Sequence, residues 1–209
     1  MEEQLQDGVL MNKKDIREFF DRLAPRWDED LVVDQAKING ILDCGEVKPG
    51  ARVLDVACGT GVLFPFYRER QVSHVLAVDL SPEMAKIATA RAGGQIRVVC
   101  GDIEGMEGTG DYDCCMVYNA FPHFPDPAGV IRCLAGWLKA GGHLTVAHSM
   151  SVEQLNRHHA GAAAKVSRGA MSAEELAALF SRWFSVDTAI SDEEKYIVSG
   201  TLLRKGEDI

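Results

Sequence analysis

Positive charge is scarce in this chain: 22 Lys and Arg stand against 31 Asp and Glu in 209 residues, a net charge of −9. Such a field repels phosphate backbones, so nucleic acid is not an expected partner. Long apolar runs are missing as well; none approaches the ~18 residues of a membrane span. The opening MEEQLQDGVL lacks the basic and apolar build of a secretory signal. Cysteines number six, yet none forms a CxxC pair, which removes the main support for zinc-ribbon or thioredoxin chemistry. The expectation is a cytoplasmic protein with reduced thiols, and with Cys58, Cys100, Cys114, Cys115 and Cys133 serving as small hydrophobes.

What is present is enough apolar residue, 46%, for one well-buried core. In KKDIREFFDRLAPRWDED, Ile16, Phe19, Phe20 and Leu23 recur at helical spacing until Pro25 breaks the pattern, and LVVDQAKINGILDC is a second amphipathic run. Residues 1–45 thus read as a helical cap and 46–209 as the main domain. From Arg52 onward strands and helices alternate: RVLDVA, a helix from about Gly61 to Arg70, HVLAVDL, SPEMAKIATARA, IRVVC, CCMVYNA, DPAGVIRCLAGWLKA and HLTVAHS. That alternation predicts βαβ units around a parallel sheet. Helical runs at VEQLNRHHAGAA and SAEELAALFSRW precede FSVDTAI and KYIVSGTLLRK, which have no helix between them and read as an antiparallel hairpin. The fold class is α/β: a Rossmann-like three-layer sandwich on a mostly parallel seven-stranded sheet, with an antiparallel last strand and an N-terminal helical cap.

Between the first strand and its helix lies VLDVACGTGVLF. A glycine turn there lets a ligand approach bare backbone and the amides of the helix start. Asp79 ends the next strand, twenty residues after Gly59, where a carboxylate accepts hydrogen bonds from both ribose hydroxyls of a nucleoside. Ser81 is the better helix cap, which releases Asp79 for that task. A dinucleotide fingerprint would place a third glycine at position 64, which is Phe64. Asp55 before the turn suits an ammonium better than a pyrophosphate. The implied ligand is nucleoside at one end and amino acid at the other.

VLDVACGTG, VLAVDLSPEM, VVCGDIEGM and DYDCCMVYNAFPHFPDP follow one another over residues 15 to 150 in the order and approximate spacing of the class I methyltransferases that use S-adenosylmethionine, in the small-molecule branch called type 11. The resemblance implies that Asp55 and the backbone around Ala57, Gly59 and Gly61 face the methionine part of S-adenosylmethionine. It further implies that Asp79 holds the ribose, that Leu80 and Met84 line the adenine pocket, and that Asp102 and the Ile103 amide read the adenine edge. Asn119 would turn its carbonyl toward the ammonium. Met84 fits plain core equally, and Asp102 fits a turn cap. Ala24, Trp27 and Asp28 match an A-x-x-W-D pattern of the branch that folds over the cofactor; Trp27 also suits a simple anchor of the cap.

Methyl transfer is a direct displacement, so the protein supplies positioning, dehydration and, for a protonated acceptor, a base. Tyr118, Phe121 and His123 follow the fourth strand and His148 ends the fifth. Val152, Leu155, Asn156 and His159 share a helix face. The reading therefore brings His123, His148 and His159 to the acceptor side as base, as a three-histidine metal site, or as scaffold. Tyr118, Phe121 and Asn156 are the expected acceptor contacts, while His74 and His143 are structural and His158 points to water. The expected activity is methyl transfer from S-adenosylmethionine, leaving S-adenosylhomocysteine, to a small-molecule acceptor. A quinone or lipid acceptor is the alternative, since the early motifs also resemble menaquinone and ubiquinone methyltransferases; a non-catalytic S-adenosylmethionine-binding protein is another.

Overall fold

A computed structural model describes residues 11–29, 31–159 and 163–204, and of His158 and His159 the backbone alone. Strands β1 Arg52–Val56, β2 His74–Asp79, β3 Ile96–Cys100, β4 Tyr112–Tyr118, β5 Leu138–His148, β6 Phe184–Ser191 and β7 Tyr196–Leu202 form one sheet in the order β3-β2-β1-β4-β5-β7-β6. The first five pair in parallel, and β7 runs antiparallel to both β5 and β6. The hairpin read from the sequence therefore forms, and it inserts the last strand between its two neighbours. Strand order reverses between β1 and β4, the position where an open α/β sheet presents a crevice at its carboxyl ends.

The helices are α1 Lys13–Leu23, α2 Gln35–Cys44, α3 Phe64–Glu69, α4 Pro82–Arg91, α5 Pro127–Ala135, α6 Val152–His159 and α7 Ala173–Phe180. Strand alternation sorts the core into two layers. Val53, Ala77, Met116, Ala147 and Ile197 pack with Ile41 and Leu42 of α2, Phe64 and Tyr67 of α3, and Ala88 of α4. Leu54, Val56, Val78, Val117 and Val146 pack with Ile131 and Leu134 of α5 and Leu176 and Phe180 of α7. At about 1.5–3 kcal/mol for each large side chain buried, these two faces hold the sheet rigid beneath the crevice.

Several ends differ from the sequence expectation. Residues 31–33 are irregular and exposed, Val32 at 90%, because Asp34 caps α2 by accepting from the Lys37 amide at 3.0 Å. The third helix starts at Phe64, not near Gly61, whose φ of 88° is not helical. Leu138, Lys139 and Ala140 open β5 instead of closing α5, which Gly136 caps. Cys100 is exposed at the end of β3, not a buried hydrophobe. Of the cap, residues 1–10 lie outside the described residues.

Docking fixes α1 across the top of the crevice. Ile16 packs with Ala163 and Val166, and Phe19, Phe20 and Leu80 close around them. Asp21 Oδ1 accepts from the Ser81 hydroxyl at 2.5 Å and from the Glu83 amide at 3.2 Å. Ser81 is also the N-cap of α4, its oxygen accepting from the Met84 amide at 3.1 Å. One hydroxyl thus starts a helix and ties the cap to it.

Candidate active site

After β1 the backbone turns through Ala57-Cys58-Gly59-Thr60-Gly61, and every second residue is left-handed: φ is 54° at Ala57, 56° at Gly59 and 88° at Gly61. For Ala57 that conformation costs about 1–2 kcal/mol, strain that is retained where a backbone direction matters. A Cβ on Gly59 would meet nothing nearer than the Trp27 indole nitrogen at 4.0 Å, so the turn offers bare backbone to the space beneath the cap. Gly61 has a different task from the one expected. Its Cβ would lie 2.6 Å from the Phe64 ring, so its lack of a side chain lets the buried Phe64 close on the turn.

A single cleft of about 660 Å³ opens there. Trp27, Ala57, Gly59, Asp79, Leu80, Met84, Asp102, Ile103, Tyr118, Asn119 and His123 all line it. Asp79 is 8% exposed; its Oδ2 accepts from the Gly59 amide at 2.8 Å and its Oδ1 from the Ser81 amide at 2.9 Å. Burial pushes its carboxyl up to about 6, against the pull of those two hydrogen bonds. Asp102 does cap the turn after β3, accepting from the Glu104 amide at 3.1 Å, while Lys13 Nζ of α1 sits 2.7 Å from both Asp102 Oδ2 and Glu104 Oε2. Asn119 is left-handed at φ 56°, and its side chain clamps Ser149, accepting from that amide at 2.9 Å and donating to Ser149 Oγ at 3.1 Å. Lys37 of α2 donates to the Ser149 carbonyl at 3.1 Å and the Glu194 carbonyl at 2.9 Å.

Asp55 lies just behind the turn. It shares the face of Val53 under α3, is 2% exposed, and neighbours the buried Tyr67 hydroxyl. Burial pushes its carboxyl up to about 7, and Tyr67 draws it back toward the charged form. Neither Asp55 Oδ2 nor Tyr67 Oη completes a hydrogen bond of ordinary geometry.

The acceptor side needs correction. Only His123 of the three histidines reaches the cleft among the described residues; its Nδ1 meets the Val166 carbonyl at 2.7 Å and its ring packs edge-on to Phe20 at 4.9 Å. His148 shares the face of Val146, so it points into the α5–α7 layer and packs on Tyr196 at 5.7 Å, beside a small cavity it shares with Phe121. Phe121 is buried in that same layer and does not line the cleft. Asn156 is exposed and used elsewhere, its Oδ1 accepting from the Ala170 amide at 2.7 Å. The His159 side chain lies outside the described residues. Among those residues no cluster of three His, Cys, Asp or Glu is disposed to hold a metal. His143, expected as structural, bonds Asp187 Oδ2 at 2.9 Å.

Sequence reasoning missed the ties between cap and turn. Asp28 Oδ1 accepts from the buried Thr60 hydroxyl at 2.8 Å, and its Oδ2 holds Arg91 at 2.6 Å, while Arg91 also donates to the Thr60 carbonyl at 3.2 Å. The A-x-x-W-D match signalled Asp28, but its partners are distant in sequence and left no signal. Lys13 and Lys37 looked like ordinary solvated charges on amphipathic helices.

This donor set fits S-adenosylmethionine. Bare backbone at Gly59, a buried carboxylate at Asp79 and polar edges at residues 102–103 meet in one cleft, whereas Asp55, expected to face the ligand, does not line it and lies buried behind the turn. Comparison with known proteins agrees. Residues 53–142 match the family model described as methyltransferase domain. A ubiquinone biosynthesis O-methyltransferase of Xanthomonas axonopodis pv. citri is 38% identical over 100 residues, 46% of this chain and 41% of that protein. One from Xylella fastidiosa is 39% identical over 102 residues, with the same coverage. The match thus spans less than half the length of these relatives. Among solved structures, the cyclase SpnF superposes with a TM-score of 0.76 at 14% identity, over 94% of this chain and 98% of that one. The N-methyltransferase NodS of Bradyrhizobium japonicum, solved with S-adenosylhomocysteine, gives 0.70 at 14% identity, over 90% and 99%. At such identities the likeness is one of fold. Residues 53–142 thus match a methyltransferase domain, set in a fold shared with solved S-adenosylmethionine-dependent methyltransferases.

Proposed function

We propose that this chain moves a methyl group from S-adenosylmethionine to a small-molecule acceptor by direct displacement, in the cleft between a 1–45 cap and a 46–209 catalytic domain. The observation that carries the reading is the convergence of the left-handed turn, Asp79, Asp102 and Asn119 on one cleft roofed by α1 and Trp27. When bound, the cofactor supplies an electrophilic methyl on a positively charged sulfur. Asp79 holds the ribose; Asp102 and the Ile103 amide address the adenine edge, with Leu80 and Met84 as its walls. The Gly59 backbone and the Asn119 carbonyl receive the amino-acid end, with the Asp55 carboxyl behind the turn as its counter-charge. Phe19, Phe20 and Trp27 keep water from the reacting centre. His123 is the base for an acceptor that carries a proton. The Val166 carbonyl can only accept, so Nδ1 carries the hydrogen and Nε2 is the lone-pair nitrogen of the neutral ring.

A second reading, an apolar acceptor such as a quinone, draws on the relatives' names and on one observation. Leu23, Trp27, Leu31 and Val32, all exposed, line the mouth of the cleft. No helix among the described residues is long and apolar enough to cross a membrane, and a cytoplasmic location is part of this proposal. Incubation with methyl-labelled S-adenosylmethionine and cell extract, followed by metabolite profiling, tests both. Label in a polar small molecule supports the first reading and label in an extracted quinone the second. Cofactor bound but no labelled product from either fraction identifies a non-catalytic binding protein.

A further inference from the structure

We propose that Tyr67 is a positioning residue: its buried hydroxyl, set against the Asp55 carboxylate behind the 57–61 turn, keeps that carboxylate available as counter-charge to the cationic end of the cofactor and makes cofactor binding proton-linked. The inference rests on the reading that S-adenosylmethionine occupies the cleft.

Geometry supplies the argument. Alternation along β1 puts Leu54 and Val56 in the α5–α7 layer and Val53 and Asp55 in the opposite one, beneath the α3 residue Tyr67. Tyr67 is fully buried in the layer with Val53, Leu63 and Phe64, and Asp55 is 2% exposed, so an isolated carboxylate there is costly to ionise. On its own side of the sheet Asp55 faces Tyr67 from α3, Asp79 from β2 and Cys58 from the turn, while Cys115 of β4 sits on the opposite side with Leu54 and Val117 and is felt only through its charge. Among the described residues none of these is basic, and the neutral donor beside this carboxylate is the Tyr67 phenol, which has no other partner of ordinary geometry. Asp79 and the two thiols only raise the cost of charge there. Burial also pushes the Tyr67 phenol well above its ordinary range, so it stays protonated and can only donate.

A ligand with an ammonium and a sulfonium brings the missing positive charge to the far side of the turn. Binding then drives Asp55 into its ionised form and releases a proton. The product keeps the ammonium but has a neutral sulfur, so it favours ionisation less. Tyr67 sets the pH at which this exchange occurs, and substrate and product are told apart by charge as well as by the missing methyl.

Calorimetry in buffers of different ionisation enthalpy counts the protons released when S-adenosylmethionine or S-adenosylhomocysteine binds. The wild type, Tyr67→Phe and Asp55→Asn are compared between pH 6 and 8.5; the ligand's own amine contributes equally to all three. The wild type should release more protons with S-adenosylmethionine than with the product, and Asp55→Asn should lose that excess. In Tyr67→Phe the maximum release should move to higher pH. A one-unit rise lowers the ionised fraction at pH 7 from about a half to about a tenth, a roughly fivefold loss of affinity that recovers at pH 8.5. Identical proton release in wild type and Asp55→Asn overturns the inference even if Tyr67→Phe fails to fold, and so does a loss of affinity in Tyr67→Phe that is uniform with pH. If the wild type binds neither ligand, the functional reading beneath it fails instead.

Discussion

Thr60, in the glycine turn, donates its hydroxyl hydrogen bond to Asp28 of the cap at 2.8 Å, and Arg91 at the end of α4 holds the other oxygen of the same carboxylate at 2.6 Å. The cap is thereby fastened to the glycine turn that lines the cleft. Trp27, one residue earlier, stands over Gly59. Any ligand that stiffens the turn also stiffens the cap's anchor.

Asp28→Ala should therefore loosen α1 and its following turn without unfolding the sheet. Charged hydrogen bonds contribute about 1.5–3 kcal/mol each when shielded, and partial exposure of Arg91 reduces the ion-pair share. Hydrogen exchange across residues 13–29 should accelerate by about one order of magnitude, and added S-adenosylhomocysteine should slow it in the wild type more than in the variant. Unchanged exchange in Asp28→Ala would show that the apolar contacts of Ile16, Phe19 and Phe20 hold the cap alone.

The two turn glycines should fail in different ways. Gly61→Ala meets the Phe64 ring at 2.6 Å in a left-handed backbone, so it should lower the melting temperature markedly. Gly59→Ala has open space and only the left-handed cost of about 1–2 kcal/mol, but its methyl projects into the cleft toward Trp27. Thermal unfolding and calorimetry together check this: the first variant should lose stability, the second affinity. Equal losses of both kinds in both variants would contradict it.

Stability should fall with pH at two buried acids. Burial pushes the Asp55 carboxyl up to about 7 and that of Asp79 up to about 6, both above the ordinary 3.8. A raised carboxyl stabilises most when protonated. Its contribution is therefore complete below about pH 4 and disappears as pH rises through about 6 for Asp79 and about 7 for Asp55. Asp55→Asn should be the more stable protein without ligand above pH 8, by on the order of 3 kcal/mol, and nearly equal to wild type at pH 4. Urea midpoints that run parallel for the two proteins across this range would contradict it.

Much of the fold was legible because its signals are local. Apolar alternation in VLDV and HVLAVD, Ser81 before PEM, and the missing helix between the last two strands each follow from residues within a few positions of one another. The gathering of Gly59, Asp79 and Asp102 around one cleft was legible for the same reason: each falls at or just past a strand end, where the topology alone brings them together, whereas the burial of Asp55 behind the turn was not. Acceptor-side residues were not. Whether His148 faces the cleft or the α5–α7 layer depends on strand phase relative to Val146, and Asn156 is claimed by the Ala170 amide, fourteen residues away. The pairings Asp28 with Thr60 and Arg91, and Lys13 with Asp102 and Glu104, join segments 32 to 91 residues apart, and nothing local marks them.

The most direct test of the central claim is a calorimetric titration of the wild type and of Asp79→Asn with S-adenosylmethionine at pH 7.5. Asn keeps the shape and one acceptor but loses the charge, so the ribose hydroxyls lose charge-assisted bonds and the Gly59 amide loses its anionic partner. The wild type should bind one cofactor per chain, and the variant should bind it at least tenfold more weakly, consistent with a loss of about 1.5–3 kcal/mol. Equal affinity in the two proteins, or no binding by the wild type, would contradict the account.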